Sequence, residues 1–291
     1  MKEVSYEALG GTLFVSASHK NLAEILSGEK YPDLRSVVID FEDGLCASLF
    51  VSAVSCLPDV LASVCDASPL VFIRARDVEQ LQTLLKLTNI KLITGFVLAK
   101  FSLKNVTKYS TIMRDEPYYF MPSIEGEELF DTLKLQQLKV ALLPHKEKIL
   151  LVRFGLEDML RQLSLRRECG EGVFDMSVTA NVVGNFIATF KSAGFSVSGG
   201  VYPCFKDDEG FARDLLRDLK EGLFSKTIIH PRQIAIVNSI YSVSQREYEE
   251  AKEIVDASVA VFAQNEKMAE VVTMSPHSEM ILKRAEIYGL S

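Results

Sequence analysis

Along the chain, short runs that are apolar almost throughout alternate with stretches whose apolar residues recur every three or four positions. Eight such runs predict strands, at residues 12–17, 36–41, 70–75, 93–100, 118–125, 149–155, 195–200 and 227–230. A strand covered on both faces has no polar side, so a continuous apolar run is what a buried parallel sheet requires. Between the runs, residues 78–87 put Val78, Leu81, Leu84 and Leu85 on one helical face. Residues 127–140 do the same with Leu129, Leu133 and Leu138, and residues 207–219 with Phe211, Leu215, Leu216 and Leu219. A shorter helix is predicted over 21–26. Strand and helix in alternation, eight times, predict a (β/α)8 TIM barrel. The rival, an open doubly wound sheet, would carry a Gly-x-Gly-x-x-Gly turn, and none is found.

After His230 the pattern changes. Residues 231–240 predict a short helix, and Ser244 caps a longer one over 245–262 with Glu247 at the capping-box position. A last helix is predicted over 278–288. Residues 1–243 are therefore read as the barrel and 244–291 as a C-terminal helical extension that covers it or packs on a neighbouring subunit. There is no internal repeat, low-complexity segment or linker.

Composition narrows the function. A chain of 291 residues with 48% hydrophobic content suits one barrel with a large core. No apolar run approaches the ~20 residues of a membrane span, and the first residues lack a charged-then-apolar leader pattern. A net charge of -7 with no dense Lys/Arg patch argues against nucleic acid. Residues 161–167 are the most basic stretch and fit the solvated end of a helix. The five cysteines, Cys46, Cys56, Cys65, Cys169 and Cys204, are odd in number and include no Cys-x-x-Cys pair. They are read as reduced, mostly small buried hydrophobes in a cytoplasmic protein.

In such barrels the chemistry sits at the carboxyl ends of the strands. Here those ends carry Asp40, Glu42 and Asp43 after the second run, Arg74 and Arg76 after the third, and Lys100 after the fourth. Glu125 ends the fifth, Glu157 and Asp158 follow the sixth, and His230 ends the eighth. Six ionisable clusters at one rim are costly to desolvate, which stability does not explain. Carboxylates with few histidines favour a hard cation, so Glu125 and Asp158 are the metal-ligand candidates, for Mg²⁺ or Mn²⁺. The competing reading is that Glu125 starts a helix, where a carboxylate is favourable anyway. Arg74 is read either as a bidentate grip on a substrate carboxylate or as an ion-pair partner of Asp40 or Glu42. Arg76 lies two residues on, hence on the same strand face. Asp40, Glu42 and Asp43 are candidates to orient metal-bound water or act as base, or to cap the next helix. Lys100 is read either as neutralising this acidic rim for catalysis or as a structural partner of it. His230, before Pro231, reads first as a structural hydrogen-bonder and second as a substrate contact. Ser16 and Ser18 are candidate anion contacts or plain turn residues. His19, His145 and His277 have no metal-ligand spacing.

Five stretches resemble the HpcH/HpaI aldolase and citrate lyase beta-subunit family. Val38-Ile39-Asp40-Phe41-Glu42-Asp43-Gly44 is similar to its Asp-Leu-Glu-Asp-Ala/Gly stretch, and Val71-Phe72-Ile73-Arg74 to its arginine strand. Ile124-Glu125 and Phe154-Gly155-Leu156-Glu157-Asp158-Met159 resemble its two metal-ligand motifs. Lys226-Thr227-Ile228-Ile229-His230-Pro231-Arg232-Gln233-Ile234 resembles its Gly-Lys-x-x-Ile-His-Pro-x-Gln-Ile segment, and Lys100 falls where the family has Leu-Pro-Lys. The likeness runs in order from Leu13 to Ala257. It implies a Mg²⁺-dependent carbon–carbon lyase acting on a 2-oxo or hydroxy acid through an enolate, and a homo-trimer or hexamer. Departures bear on the substrate. The family's opening Arg-Ser-Leu-Leu-Phe-Val-Pro-Gly is Gly10-Gly11-Thr12-Leu13-Phe14-Val15-Ser16-Ala17 here, Glu-Thr is Glu125-Gly126, and the asparagine after the arginine is Ala75. These changes count against an acyl-CoA substrate. The alternative is a catalytically divergent barrel serving as a binding or biosynthetic component of a stress-response system of the tellurite-resistance type.

Overall fold

The computed structural model describes residues 4–291, so part of the leader-free N-terminal reading lies outside the described residues. Seven parallel strands form one curled sheet: β1 (Gly11–Ser16), β2 (Ser36–Asp40), β3 (Leu70–Ala75), β4 (Gly95–Leu98), β5 (Tyr119–Ile124), β6 (Arg153–Phe154) and β7 (Lys226–Ile228). Their order is β6-β5-β4-β3-β2-β1-β7. The remaining barrel position is held by residues 195–200. Val197 bridges to Val152 beside β6, and Gly199 bridges to Lys226 of β7, so this segment links the two ends of the sheet. The seventh predicted strand is thus present in place but not as a regular strand. Its sequence, Ser196-Val197-Ser198-Gly199-Gly200, contains two glycines, which weaken a strand. At Gly199 a Cβ would collide with the Asp218 carboxylate, so the residue serves close packing instead. The sixth run, predicted over 149–155, keeps ladder geometry only at Arg153–Phe154, with isolated bridges at Ile149 and Val152.

Helices lie between the strands: α1 (Leu22–Leu26), α2 (Phe50–Leu61), α3 (Val78–Leu84), α4 (Val106–Asp115), α5 (Thr132–Leu142), α6 (Leu156–Gln162), α7 (Ser177–Lys191) and α8 (Asp208–Lys220). The core explains the apolar runs. Val37, Val38 and Ile39 of β2 and Val71, Phe72 and Ile73 of β3 are all buried, as they must be with helices outside and side chains filling the barrel inside. The (β/α)8 barrel is therefore the architecture predicted from the runs.

Two compact units divide between Ile234 and Ala235, inside α9 (Arg232–Tyr241). The second contains α10 (Gln245–Asp256), a hairpin of β8 (Val261–Gln264) and β9 (Lys267–Glu270), and α11 (Val271–Tyr288). Two predicted helix bounds need correction. The Ser244–Glu247 capping box is present, but α10 ends at Asp256, because Ala257 is already extended. The residues predicted to continue it form the hairpin, whose turn residues Asn265 and Glu266 both take positive φ, as a tight turn between twisted strands requires. The last helix starts at Val271, not 278. Its buried positions begin only at Ser278, followed by Ile281 and Arg284, so the apolar period is silent over its first two turns.

The cysteine reading also changes. Cys46, Cys56 and Cys65 are exposed, and Cys169 and Cys204 form a disulfide across a separation of 35 residues. Their partnership arises from the fold and has no local spacing signature. Among the described residues no helix is long and apolar enough to cross a membrane.

Candidate active site

A cavity of about 470 Å³ opens at the carboxyl ends of the strands. Ser16, Asp40, Asp43, Arg74, Glu125, Glu157 and Asp158 line it, so most of the predicted rim converges. Strand register explains much of this. Ser16 pairs with Asp40, and Asp40 with Arg74, in one row across β1, β2 and β3.

Arg74 is held firmly within that row. Its Nε and Nη2 donate to the two oxygens of Asp40, at 2.7 Å each. Its Nη1 lies 2.9 Å from Glu42 Oε2. Of the two readings of Arg74, the ion pair with Asp40 and Glu42 is the one present. Asp40 is further saturated by the backbone N–H groups of Glu42 at 3.0 Å and Gly44 at 2.9 Å. Burial alone would lower the pKa of Arg74, but the hydrogen bond and charge of Asp40, with the charge of Glu42, hold it above its ordinary value. Lys100 Nζ sits 2.5 Å from Glu42 Oε1 and 3.9 Å from Asp43 Oδ1. Burial opposes its charge, yet Glu42 raises its pKa overall, so Lys100 is a protonated partner of the acidic rim. Lys100 lines an adjoining cleft, together with Glu125, Asp158 and Arg161.

Glu125 follows β5 directly and is 5% exposed. Its Oε2 is buried with no hydrogen-bond partner. Desolvation, set against a Ser123 hydrogen bond and joined by the negative charges of Glu42 and Asp158, pushes its pKa up to about 7. Asp158 stands in the first turn of α6, where a carboxylate complements the helix N-terminus. Arg161 Nη2 donates to its Oδ1 at 2.7 Å. Gln162 Nε2 donates to the backbone carbonyl of Glu125 at 2.7 Å, tying α6 to the end of β5. Gly155, between Arg153–Phe154 and α6, allows this approach, since a Cβ there would strike the Glu125 side chain.

These groups fit a hard divalent cation. Two carboxylates from successive strand ends face the same two cavities, and one has an unsatisfied buried oxygen. No third His, Cys, Asp or Glu completes a ligating cluster among the described residues. Mg²⁺ typically takes one or two protein carboxylates and keeps its other positions for water and substrate, so Glu125 and Asp158 are the candidate pair.

Two predicted residues stand apart. Arg76 and His230 do not line the cavity. The backbone N–H of Arg76 donates to Gln80 at 2.6 Å. His230 stacks on Phe205 at 4.6 Å between ring centres, and its Nδ1 accepts from the Arg232 backbone at 3.2 Å. Ser16 lines the cavity with its hydroxyl 3.0 Å from that of Ser18.

Three residues that sequence reasoning passed over also line the cavity: Ser123, Arg153 and Thr227. Arg153 is 4% exposed and points inward from β6. Burial, with the charge of Arg74, pulls its pKa down to about 9, partly countered by Glu125. It is therefore still charged near neutral pH. The signal was available, as one cation inside the otherwise apolar run 149–155. A second buried set holds the barrel closed nearby: Lys226 Nζ lies 2.5 Å from Asp214 and 2.6 Å from Asp218, and Arg167 lies 3.1 Å from Asp214.

A family model described as C-C bond lyase of the TIM-barrel fold matches residues 3–290. Citrate lyase subunit beta of Escherichia coli is 26% identical over 151 residues, covering 50% of this chain and 48% of that protein. L-malyl-CoA/beta-methylmalyl-CoA lyase of Cereibacter sphaeroides is 29% identical over 108 residues, 35% of this chain and 34% of that one. The match thus spans about half the length, or less, of these curated relatives. Among solved structures, a citrate lyase from Burkholderia xenovorans aligns with a TM-score of 0.75 at 17% identity, covering 99% of this chain and 95% of that one. The Mycobacterium tuberculosis protein CitE in complex with magnesium, acetoacetate and coenzyme A aligns with a TM-score of 0.69 at 20% identity, covering 97% and 99%. At these identities the structural matches speak for the fold.

Proposed function

Because the chain belongs to the C-C bond lyase family of the TIM-barrel fold, we propose that it is a Mg²⁺-dependent lyase that makes or breaks a carbon–carbon bond next to the carbonyl of a small acid. The reading rests on one observation: Glu125, with a buried oxygen lacking any partner, shares its cavities with Asp158. Magnesium in the crystal complexes of the Mycobacterium tuberculosis proteins, one with oxaloacetate and one with pyruvate, supports the same choice of ion and substrate class.

Glu125 and Asp158 would hold the cation, which when bound supplies Lewis-acid stabilisation to an enolate oxygen. The chain's own groups do the rest. Asp40 and Glu42 lock the plane of Arg74, so the guanidinium holds the acidic side of the cavity wall in one geometry. Lys100 and Arg74 both pin Glu42, which removes it as a mobile base. Asp40 is removed likewise by its four hydrogen bonds. Of the three acids after β2, Asp43, its side chain 63% exposed and reached by Arg74 and Lys100 only at 3.9 Å, is the one left able to take or give a proton at the cavity mouth. Phe14, Phe154 and Leu156 give the cavity apolar walls that limit water around the reacting atoms.

The substrate is read as a 2-oxo or 2-hydroxy acid in a cytoplasmic homo-oligomer. A binding or biosynthetic role without turnover is the second reading, favoured by the closure of Arg74 under Asp40 and Glu42. Calorimetry decides the metal site: wild type should bind Mg²⁺ and the double variant Glu125→Ala/Asp158→Ala should not. Unchanged affinity removes the assignment. A retro-aldol panel of malyl, citramalyl and 4-hydroxy-2-oxo acids separates turnover from binding.

A further inference from the structure

The cavity holds two guanidinium groups, and they are partnered very differently. Arg74 is neutralised by Asp40 and Glu42. Arg153 meets no carboxylate within ion-pairing distance among the described residues. Its Nη2 donates to the Thr227 hydroxyl at 2.5 Å, and its Nη1 lies 3.8 Å from the Met121 sulfur, a weak acceptor. The ring of Phe14 is shared by both cations, with Arg74 at 5.2 Å and Arg153 at 5.1 Å from its centre. A guanidinium carries five N–H donors, and an unpaired buried charge is among the most destabilising features a core can hold. Burying one at 4% exposure in a cavity wall is therefore hard to account for by stability.

Register places it relative to the candidate metal ligands. Arg153 is the cross-strand partner of Ser123, two residues before Glu125 on the same face of β5. At ~3.3 Å per residue its backbone level is about two residues of strand before that of Glu125.

We infer that Arg153 is the anion anchor of this cavity, and that its ligand is a second carboxylate on the substrate, making that substrate a short dicarboxylic acid. The 2-oxo or 2-hydroxy end faces Glu125 and Asp158, and the far carboxylate accepts from Arg153, with the hydroxyls of Thr227 and Ser123 beside it. The orientation of the substrate rests on the lyase reading; the anion site does not.

The test uses full-length protein. Without metal, wild type should bind propionate at least tenfold more tightly than propionamide, its neutral isostere, by calorimetry, and Arg153→Met should lose about tenfold to a hundredfold of that preference, the worth of a charge-assisted hydrogen bond. With Mg²⁺ present to hold the 2-hydroxy end, wild type should prefer malate to lactate, and Arg153→Met should lose that preference while keeping its Mg²⁺ affinity. Equal wild-type affinities within either pair, or an Arg153→Met protein that keeps both preferences, overturns the inference. Should Arg153→Met fail to fold, Arg153→Gln removes the charge while keeping polar atoms in the wall; the same loss there supports the anchor, and an unchanged preference refutes it. A wild type that prefers propionate to propionamide but binds no Mg²⁺ supports the anion site while ending the lyase reading.

Discussion

Replacing Glu125 by glutamine removes a charge that the metal-free fold is poorly built to hold. Desolvation foremost, and then the carboxylates of Glu42 and Asp158, raise its pKa from 4.5 to about 7. A group whose folded-state pKa is raised contributes most stability below its unfolded value and loses it as pH climbs to the folded one. Wild type should therefore weaken between about pH 4.5 and pH 7 and stay weak above. At about 1.4 kcal/mol per tenfold in proton affinity, the full loss is roughly 3 kcal/mol. Glutamine keeps the shape without the charge, but its amide is left short of partners at Oε2, which returns ~1–2 kcal/mol of the gain. Without metal, Glu125→Gln should thus be about 1–2 kcal/mol more stable than wild type at pH 8 and no more stable at pH 4.5. Urea unfolding in EDTA at the two pH values measures this. Saturating Mg²⁺ should reverse the order at pH 8, because only wild type gains binding energy from the ion. Equal stabilities at pH 8 in EDTA, or the same Mg²⁺-induced gain in both proteins, would refute the reasoning.

Three other outcomes follow from the geometry. Lys226→Met leaves Asp214 and Asp218 without their shared cation in the closure of the barrel and should cost ~3–5 kcal/mol by urea unfolding. Asp43→Asn should lower kcat by ~100-fold or more with little change in KM or in Mg²⁺ affinity, as loss of a proton-transfer group does; a pure KM effect would assign Asp43 to binding instead. Reducing the Cys169–Cys204 disulfide with a dithiol should destabilise the protein by roughly 3–4 kcal/mol, read as a fall in Tm.

Much of the barrel was legible in the chain. A parallel strand between helices is buried on both sides, so each one prints an apolar run such as Val37-Val38-Ile39 or Val71-Phe72-Ile73, and a charge at its end stands out. Glu125 and Asp158 were singled out from the ends of such runs, and both line the cavity. Residues 195–200 kept the apolar content but lost the regular ladder, because Gly199 answers to Asp218 rather than to strand geometry. The hairpin after α10 was missed for a related reason. Its Val261 and Met268 are exposed, so no burial pattern distinguished it from a continuing helix.

Sequence alone determined where the strands lie and that acidic groups crowd one rim, since both depend on neighbours along the chain. Tertiary structure alone decided the partners. Asp40 and Arg74, 34 residues apart, meet because β2 and β3 pair in that register. Cys169 finds Cys204 only once α6 and α8 are placed. Arg153 showed in the chain only as one cation inside an apolar run, with nothing to say what it meets. That it faces inward and meets no acid is a property of the strands around it, because a charge is satisfied or left open by what lies across space, which no local pattern records.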